Sequence, residues 1–233
     1  TGAQEMGYAL NDDYNGAEQD GFGRMQMTIR KGHRESAATA YLHPVLSRKN
    51  LTVRTDSLVT RVTIEGTRAT GVEYIHKGER RFVAAEREVI LSGGAINSPQ
   101  VLMLSGIGDG AHLQEMGIET RVHSPGVGQN LQDHFLQRMR YRVKPCGTVN
   151  EYWHNPIGKL RMAARYAFDR RGPMAIGAAE ANLFARVLPG AEEPDMQYLF
   201  VNFTVTSYDQ GPDAHPGFMF SACQCRPDSR GTI

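Results

Sequence analysis

The run Gly93-Gly94-Ala95-Ile96-Asn97-Ser98-Pro99-Gln100-Val101-Leu102-Met103-Leu104-Ser105-Gly106-Ile107-Gly108 constrains the fold more than any other stretch. It follows Glu88-Val89-Ile90-Leu91, a short apolar and β-branched run that reads as a buried strand through Ser92. Gly93 and Gly94 let the backbone turn sharply and come close to whatever lies above it. Ser98 suits a helix N-cap and Pro99 the first helical position, so the helix is expected to start there. It continues through Val101, Leu102 and Ser105, and Gly106 and Gly108 suit its end. A strand, a glycine turn and a helix N-terminus together make a place for an anion. Free backbone N–H groups and the helix dipole both point there.

The rest of the chain supplies the frame for that unit. Leu58 to Ile64, Ala69 to His76 and Arg80 to Ala84 alternate in polarity and are joined by short turns at Gly66 and Gly78. They predict a β-meander. Upstream, Met25 to Ile29 alternates like a strand end, and Ser36 to Leu46 reads as a short helix interrupted by Pro44. Composition shifts after the loop Gly126 to His134. Asn155-Pro156 then predicts a helix start. Ile157, Leu160, Ala164 and Phe168 share one face of that helix, and Arg170-Arg171-Gly172-Pro173 ends it. Alternating runs around Asn182 to Val187, Met196 to Phe203 and Gly217 to Cys225 complete a helix packed on an antiparallel sheet. The expected class is mixed α/β, with domains at 1–135 and 136–233.

With 233 residues there is room for one large domain or two small ones. A formal charge of +1 gives no net field to hold nucleic acid or an acidic membrane. No apolar run is long enough to span a bilayer. Cys146, Cys223 and Cys225 make no disulfide framework, and reduced thiols fit a cytoplasmic protein, with peripheral membrane association left open. The histidines show neither H-x-H nor H-E-x-x-H spacing, so no metal site is expected.

Gly94, Ser98-Pro99, Leu102 and Ser105-Gly106-Ile107-Gly108 resemble the second signature of the glucose–methanol–choline (GMC) oxidoreductases, FAD-dependent alcohol oxidases and dehydrogenases. Gly32-His33-Arg34-Glu35-Ser36 with Ala40-Tyr41-Leu42 resembles the family's G-x-R-x-S…A-Y-L segment. Val127-Gly128-Gln129-Asn130-Leu131-Gln132-Asp133-His134 resembles its V-G-x-N-L-x-D-H loop. Pro194-Asp195-Met196-Gln197-Tyr198 and Arg226-Pro227-Asp228-Ser229-Arg230-Gly231 resemble parts of its substrate domain, in the choline-dehydrogenase-like and alcohol-dehydrogenase-like branch.

The resemblance implies FAD as cofactor, a small alcohol as substrate, and hydride transfer to flavin N5. It implies a partial FAD-binding domain at 1–135 and a partial substrate domain at 136–233. It also implies a G-x-G-x-x-G pyrophosphate cradle, which this sequence lacks. Gly21-Phe22-Gly23 has Gln26 at the third glycine, and Gly126-Val127-Gly128 has Leu131. The family's catalytic histidine lies beyond the region matched here, so no catalytic residue is assigned. The chain is expected to be the inactive central segment of a longer enzyme.

Four positions are candidates for the cofactor. The resemblance sets Val59 against the FAD adenine, while the plain alternative is a valine in a sheet. Ser92, Gly93 and Gly94 would pass under the dinucleotide, where a Cβ would hold it off. Glu180, in Ala178-Ala179-Glu180-Ala181-Asn182-Leu183-Phe184, resembles a substrate-facing glutamate of choline-dehydrogenase-like members, and a carboxylate suits a trimethylammonium group. The alternatives are a glutamate on a solvated strand face, or an acid paired with Arg186 or another arginine. Asn130, Asp133 and His134 are expected to pin the domain junction by side-chain to backbone bonds rather than act as acid and base. The rival from another class is a truncated module of the same fold that binds no flavin and works by contact.

Overall fold

A computed structural model describes residues 2–233, with Tyr208 described by its backbone. In chain order, a short helix α1 (Gly2–Glu5) precedes strands β1 (Gly21–Arg24), β2 (Ile29–Arg30) and β3 (His33–Arg34). The meander is β4 (Ser57–Glu65), β5 (Arg68–His76) and β6 (Glu79–Ala84). Helix α2 (Gly94–Leu104), β7 (Ile107–Gly108), helix α3 (Gly110–Glu115) and β8 (Val122–His123) follow. The remaining elements are β9 (Leu136–Arg142), α4 (Val149–His154), α5 (Pro156–Asp169), β10 (Ala179–Ala185), β11 (Met196–Val201) and β12 (Gly217–Gln224). The expected helix over 36–46 is instead a wide helical turn, Ala38–Leu42, and a 3-10 turn, His43–Val45, around Pro44.

The chain divides into two compact units. One joins the residues up to Leu46 with His134–Pro227, and the other holds Ser47–Asp133 with Asp228–Ile233. This differs from the expected 1–135 and 136–233 partition. The early segment groups with the later half because β1 pairs antiparallel with β10, Gly21 opposite Phe184 and Arg24 opposite Ala181. The C-terminal residues join the middle of the chain because Leu131 and Gly231 exchange backbone hydrogen bonds of 2.9 and 2.8 Å.

The first unit is built on a five-stranded antiparallel sheet of order β1-β10-β11-β12-β9. Opposed residues share a face. Asn182, Leu199, Ser221 and Arg138 therefore lie on one side, and Ala181, Phe200, Phe220 and Met139 on the other. The aromatic side carries stacked Tyr141 and Phe218, with ring centroids 5.1 Å apart. The opposite side holds a small core of Val201, Val205 and Met219.

Helix α5 starts as its sequence requires: Asn155 Oδ1 accepts the Ile157 and Gly158 N–H groups at 2.9 and 3.3 Å, and Pro156 takes the first position. It ends where Arg170 turns left-handed at φ 53°. Its packing differs from expectation. The stripe of Ile157, Leu160 and Phe168 is exposed, and the helix buries Gly158 and Met162. Gly158 decides this, since a Cβ there would lie 2.8 Å from Tyr152 Cα of α4. The missing side chain lets α5 press on α4 rather than lie on the sheet.

In the second unit the meander forms as the alternation predicts. Lys77 and Gly78 have φ of 52° and 82°, the left-handed pair that a two-residue hairpin turn demands. Two expectations fail. Glu88–Ser92 is not a strand, and Ile90 is exposed. A strand buried on both faces needs neighbours on both edges, and this run has no ladder partner among the described residues. Helix α2 starts at Gly94, before the expected Ser98-Pro99 boundary. Ser98 Oγ instead accepts the Gly93 N–H at 3.0 Å from inside the helix, and Pro99 lies within it.

Both cores are thin. The accessible surface is 16723 Å², whereas two separate compact units of these sizes would expose about 12,500 Å². The excess includes large apolar side chains such as Leu58, Ile90, Ile96, Ile157, Leu160 and Phe168.

Candidate functional site

The N-terminus of α2 is open. Its N-cap, Gly93, offers no side-chain oxygen to the first-turn N–H groups. Gly94 has φ +82°, which L side chains rarely adopt, and no atom lies within 4 Å of a Cβ built there. Gly93 is glycine for a different reason: a Cβ would sit 3.0 Å from Asn97 Cβ and 3.2 Å from Ser98 N. Ser92, just before them, is exposed. A cavity of about 500 Å³ lies beside this helix, between Ala95, Ser98, Pro99 and Leu102 on one side and the loop Gly126 to Gln132 on the other. Ile233 closes it, with its N–H donating to Gly128 C=O at 2.8 Å. Asn130 contributes a left-handed turn at φ 61°. Backbone bonds of Leu131 with Gly231 and of Gly128 with Ile233 hold the loop, in place of the side-chain bonds expected of Asn130.

Val59 lies on β4, an edge strand of the meander, and is partly exposed. The β4–β5 register shifts between Val59 and Arg61, so Val59 borders a bulge. The side chain that links this strand to α2 is Ser105. Its Oγ accepts the Val62 N–H at 2.8 Å and donates to Val101 C=O at 2.5 Å. The sequence placed Ser105 in the helix and in the family signature, with no contact of its own. Its signal was a small polar residue just ahead of the helix-ending Gly106. One helix thus presents Gly94 at its start and fixes the strand of Val59 at its end.

Glu180 belongs to the other unit. The β10–β11 register shifts between Ala179 and Ala181, which makes Glu180 the extra residue of a bulge. Its C=O accepts the Met25 N–H at 3.0 Å. Bulges re-aim side chains next to functional sites. Glu180 lines a cavity of about 510 Å³ with Arg24, Met25, Met27, Ile29, Ala175 and Ile176. The alternative partner, Arg186, is bound to Asp20 at 2.6 Å. Met25 and Met27 were legible only as alternation. Nearby Asn182, 3% exposed, has both side-chain amide atoms without a hydrogen-bond partner among the described residues.

A further cavity, about 750 Å³, contains none of the expected site residues. Leu188, Met196 and Ala222 line it with Glu192, Glu193 and Asp195. Asp195 is structural there: its carboxylate accepts the Val187 and Leu188 N–H groups at 2.6 and 3.0 Å, which holds its pKa below the ordinary carboxylate value. Among the described residues no cluster of His, Cys, Asp and Glu can hold a metal ion. No helix is long and apolar enough to cross a membrane among the described residues.

Residues 1–136 match the family model described as GMC oxidoreductase. The mitochondrial choline dehydrogenase of Homo sapiens is 43% identical over 233 residues, covering 99% of this chain and 39% of that protein. The oxygen-dependent choline dehydrogenase of Rhizobium meliloti (strain 1021) is 41% identical over 241 residues, covering 99% and 42%. The chain thus spans about two fifths of the length of these relatives. Among solved structures, a formate oxidase variant from Aspergillus oryzae matches with a TM-score of 0.86 and 26% identity, covering 99% of this chain and 45% of that one. Pyridoxine 4-oxidase from Mesorbium loti matches with a TM-score of 0.78 and 26% identity, covering 99% and 42%.

Proposed function

From a chain that belongs to the GMC oxidoreductase family, we propose that the intact protein is an FAD-dependent dehydrogenase or oxidase of an alcohol CH–OH group, on a choline-like or aliphatic alcohol. The observation that carries this reading is the uncapped, glycine-opened start of α2 beside a 500 Å³ cavity. The names of the relatives, choline dehydrogenases, support the alcohol.

The residues fit a flavin dinucleotide in part. Free N–H groups at the first turn of α2 suit a phosphate or ribose oxygen. Gly94 leaves open space above the turn. Val59 offers an exposed apolar edge for a flat ring. These three, with Ser92 and Gly93, would hold the cofactor from one side, so the Ser47–Asp133 unit contributes part of the cofactor shell. When bound, FAD supplies the hydride acceptor. The role of this chain is to orient and enclose. Ser105 keeps α2 and β4 in register, Gly94 permits close approach, and Glu180 places a carboxylate, the group to meet a cationic alcohol, on a cavity that Met25, Met27 and Arg24 also line. The sequence holds no G-x-G-x-x-G cradle, and the base that takes the hydroxyl proton is not assigned to any residue of this chain.

Flavin titration tests the reading. The 233-residue chain alone is expected to bind FAD weakly and oxidise no alcohol. An intact polypeptide carrying it is expected to purify yellow and to reduce a dye with choline or a simple aliphatic alcohol. An intact polypeptide that purifies without flavin refutes the proposal. Stoichiometric submicromolar FAD binding by the chain alone refutes the partial shell.

A further inference from the structure

We infer that Met27 is a site of reversible oxidation by a small peroxide, and that its sulfoxide frees residues 172–178 from the wall of the Glu180 cavity. Met25 and Met27 line that cavity of about 510 Å³ with Glu180, Ala175 and Ile176. The two methionines are held differently. Met25 is fixed by its backbone, with its N–H donating to Glu180 C=O at 3.0 Å and its sulfur 4.0 Å from Tyr14 Oη. Met27 is fixed by its sulfur, which accepts the Gly177 N–H at 3.0 Å. Gly177 lies between the 3-10 turn Pro173–Ala175 and the start of β10. This bond therefore ties the entry of β10, just ahead of the Glu180 bulge, to the segment that follows β1. Gly172, with φ 86°, gives the tied segment a pivot at its far end.

A thioether is a weak acceptor, and Met27 is half-buried, so a solute the size of a peroxide reaches it. In the reaction a sulfur lone pair attacks one peroxide oxygen, the O–O bond breaks and an S–O bond forms. The departing hydroxide takes the proton of the transferred oxygen and leaves as water. Sulfur gives up two electrons and the peroxide takes them; sulfoxide reductases reverse the change. The new oxygen is a strong acceptor that stands one bond length beyond the sulfur. An N–H···O bond needs about 2.7–3.2 Å between nitrogen and oxygen. With Gly177 N only 3.0 Å from the sulfur, the oxygen cannot enter between them. Gly177 must withdraw, or the Met27 side chain must swing away from it. Either shift moves Ala175 and Ile176 relative to Glu180 and puts a polar group on an apolar wall. Met6, Met116 and Met174 are 76%, 58% and 54% exposed, so their sulfoxides are solvated in place. The chemistry stands on this geometry alone, whereas its effect on catalysis rests on the reading of this cavity as the alcohol site.

Hydrogen peroxide treatment of an intact polypeptide carrying the chain, followed by peptide mass spectrometry, tests this. Met27 should gain one oxygen more slowly than Met6 but well before Met162 and Met219, which are 8% and 4% exposed. Amide exchange of the peptide holding Gly177 should then quicken about tenfold, and return to its starting rate after sulfoxide reductase. In Met27→Leu the same peptide should exchange at one rate with or without peroxide. Met174→Leu, in the same segment, should keep the response. Met27 oxidised no faster than Met162, or oxidised with Gly177 exchange unchanged, overturns the inference. So does an equal response to peroxide in Met27→Leu. The KM for the alcohol separates the two readings. Faster exchange with a raised KM upholds both, whereas faster exchange with an unchanged KM upholds Met27 as the oxidation site and removes this cavity from the substrate path.

Discussion

Replacing Ser105 by alanine removes the oxygen that joins α2 to β4. The consequences are unequal for its two partners. Val101 C=O keeps a second donor, the Ser105 N–H at 3.0 Å, and loses little. Val62 N–H loses its acceptor in a buried place, since Val62 is 6% and Ser105 5% exposed. An unsatisfied buried donor costs about 1–3 kcal/mol. For a domain of this size each kcal/mol moves Tm by about 4–8 °C. The melting temperature of the Ser47–Asp133 unit should therefore fall by several degrees at least. Ser98→Ala is the matched control. It removes a solvent-accessible acceptor from Gly93 N–H, which water replaces, so its cost should stay under about 1 kcal/mol. Chemical denaturation of both variants, followed by circular dichroism, gives the two numbers. In an intact polypeptide, Ser105→Ala should also reduce flavin content, because Gly94 and Val59 depend on this contact for their relative placement. If Ser105→Ala melts with the parent chain, or Ser98→Ala costs more, then Ser105 is not the link between helix and strand.

Other outcomes follow from the same geometry. Gly94→Asn tolerates a left-handed turn and should fold while losing flavin in an intact polypeptide, whereas Gly94→Val should lose soluble yield as well; a fully loaded Asn variant counts against cofactor contact. Glu180→Gln should weaken a cationic alcohol by about 1–3 kcal/mol in KM and leave a neutral alcohol of similar size nearly unchanged; equal effects on both make Glu180 structural. Asp195 has a lowered folded pKa, so its contribution is complete above the unfolded value of about 3.9 and is lost as pH falls through the folded value below it. Urea midpoints should drop more steeply below pH 4 in the parent than in Asp195→Asn, and parallel curves would refute the assignment.

Local chemistry was legible where a residue acts on its own neighbours. The period-two runs, with Gly66 and Gly78 between them, specified the meander because a hairpin needs only adjacent strands. Asn155-Pro156 specified the start of α5 because an N-cap reaches only the next turn. Strand β9 went unread because its partner β12 is distant in sequence and because Arg138, Arg140 and Arg142 give it a polar look. Glu88–Ser92 and the stripe of α5 failed in the opposite way. Their patterns are real, yet a hydrophobic period states that a face is to be covered and not by what. Ile90 lacks a ladder and Phe168 lacks a sheet beneath it, while Gly158 supplies α5 with a different neighbour.

The site divides along the same line. Gly93 and Gly94 announce a turn, but which of them needs space and which needs a positive φ depends on where Asn97 and Ser98 lie. Glu180 is an ordinary acid in sequence. The resemblance marks it as a candidate, and a one-residue register shift against β11 with a bond from Met25 brings it to the lining of a cavity. The candidates Val59 and Glu180 both lie at departures from regular pairing. Periodicity cannot encode those, since a bulge interrupts the very repeat that such a reading counts.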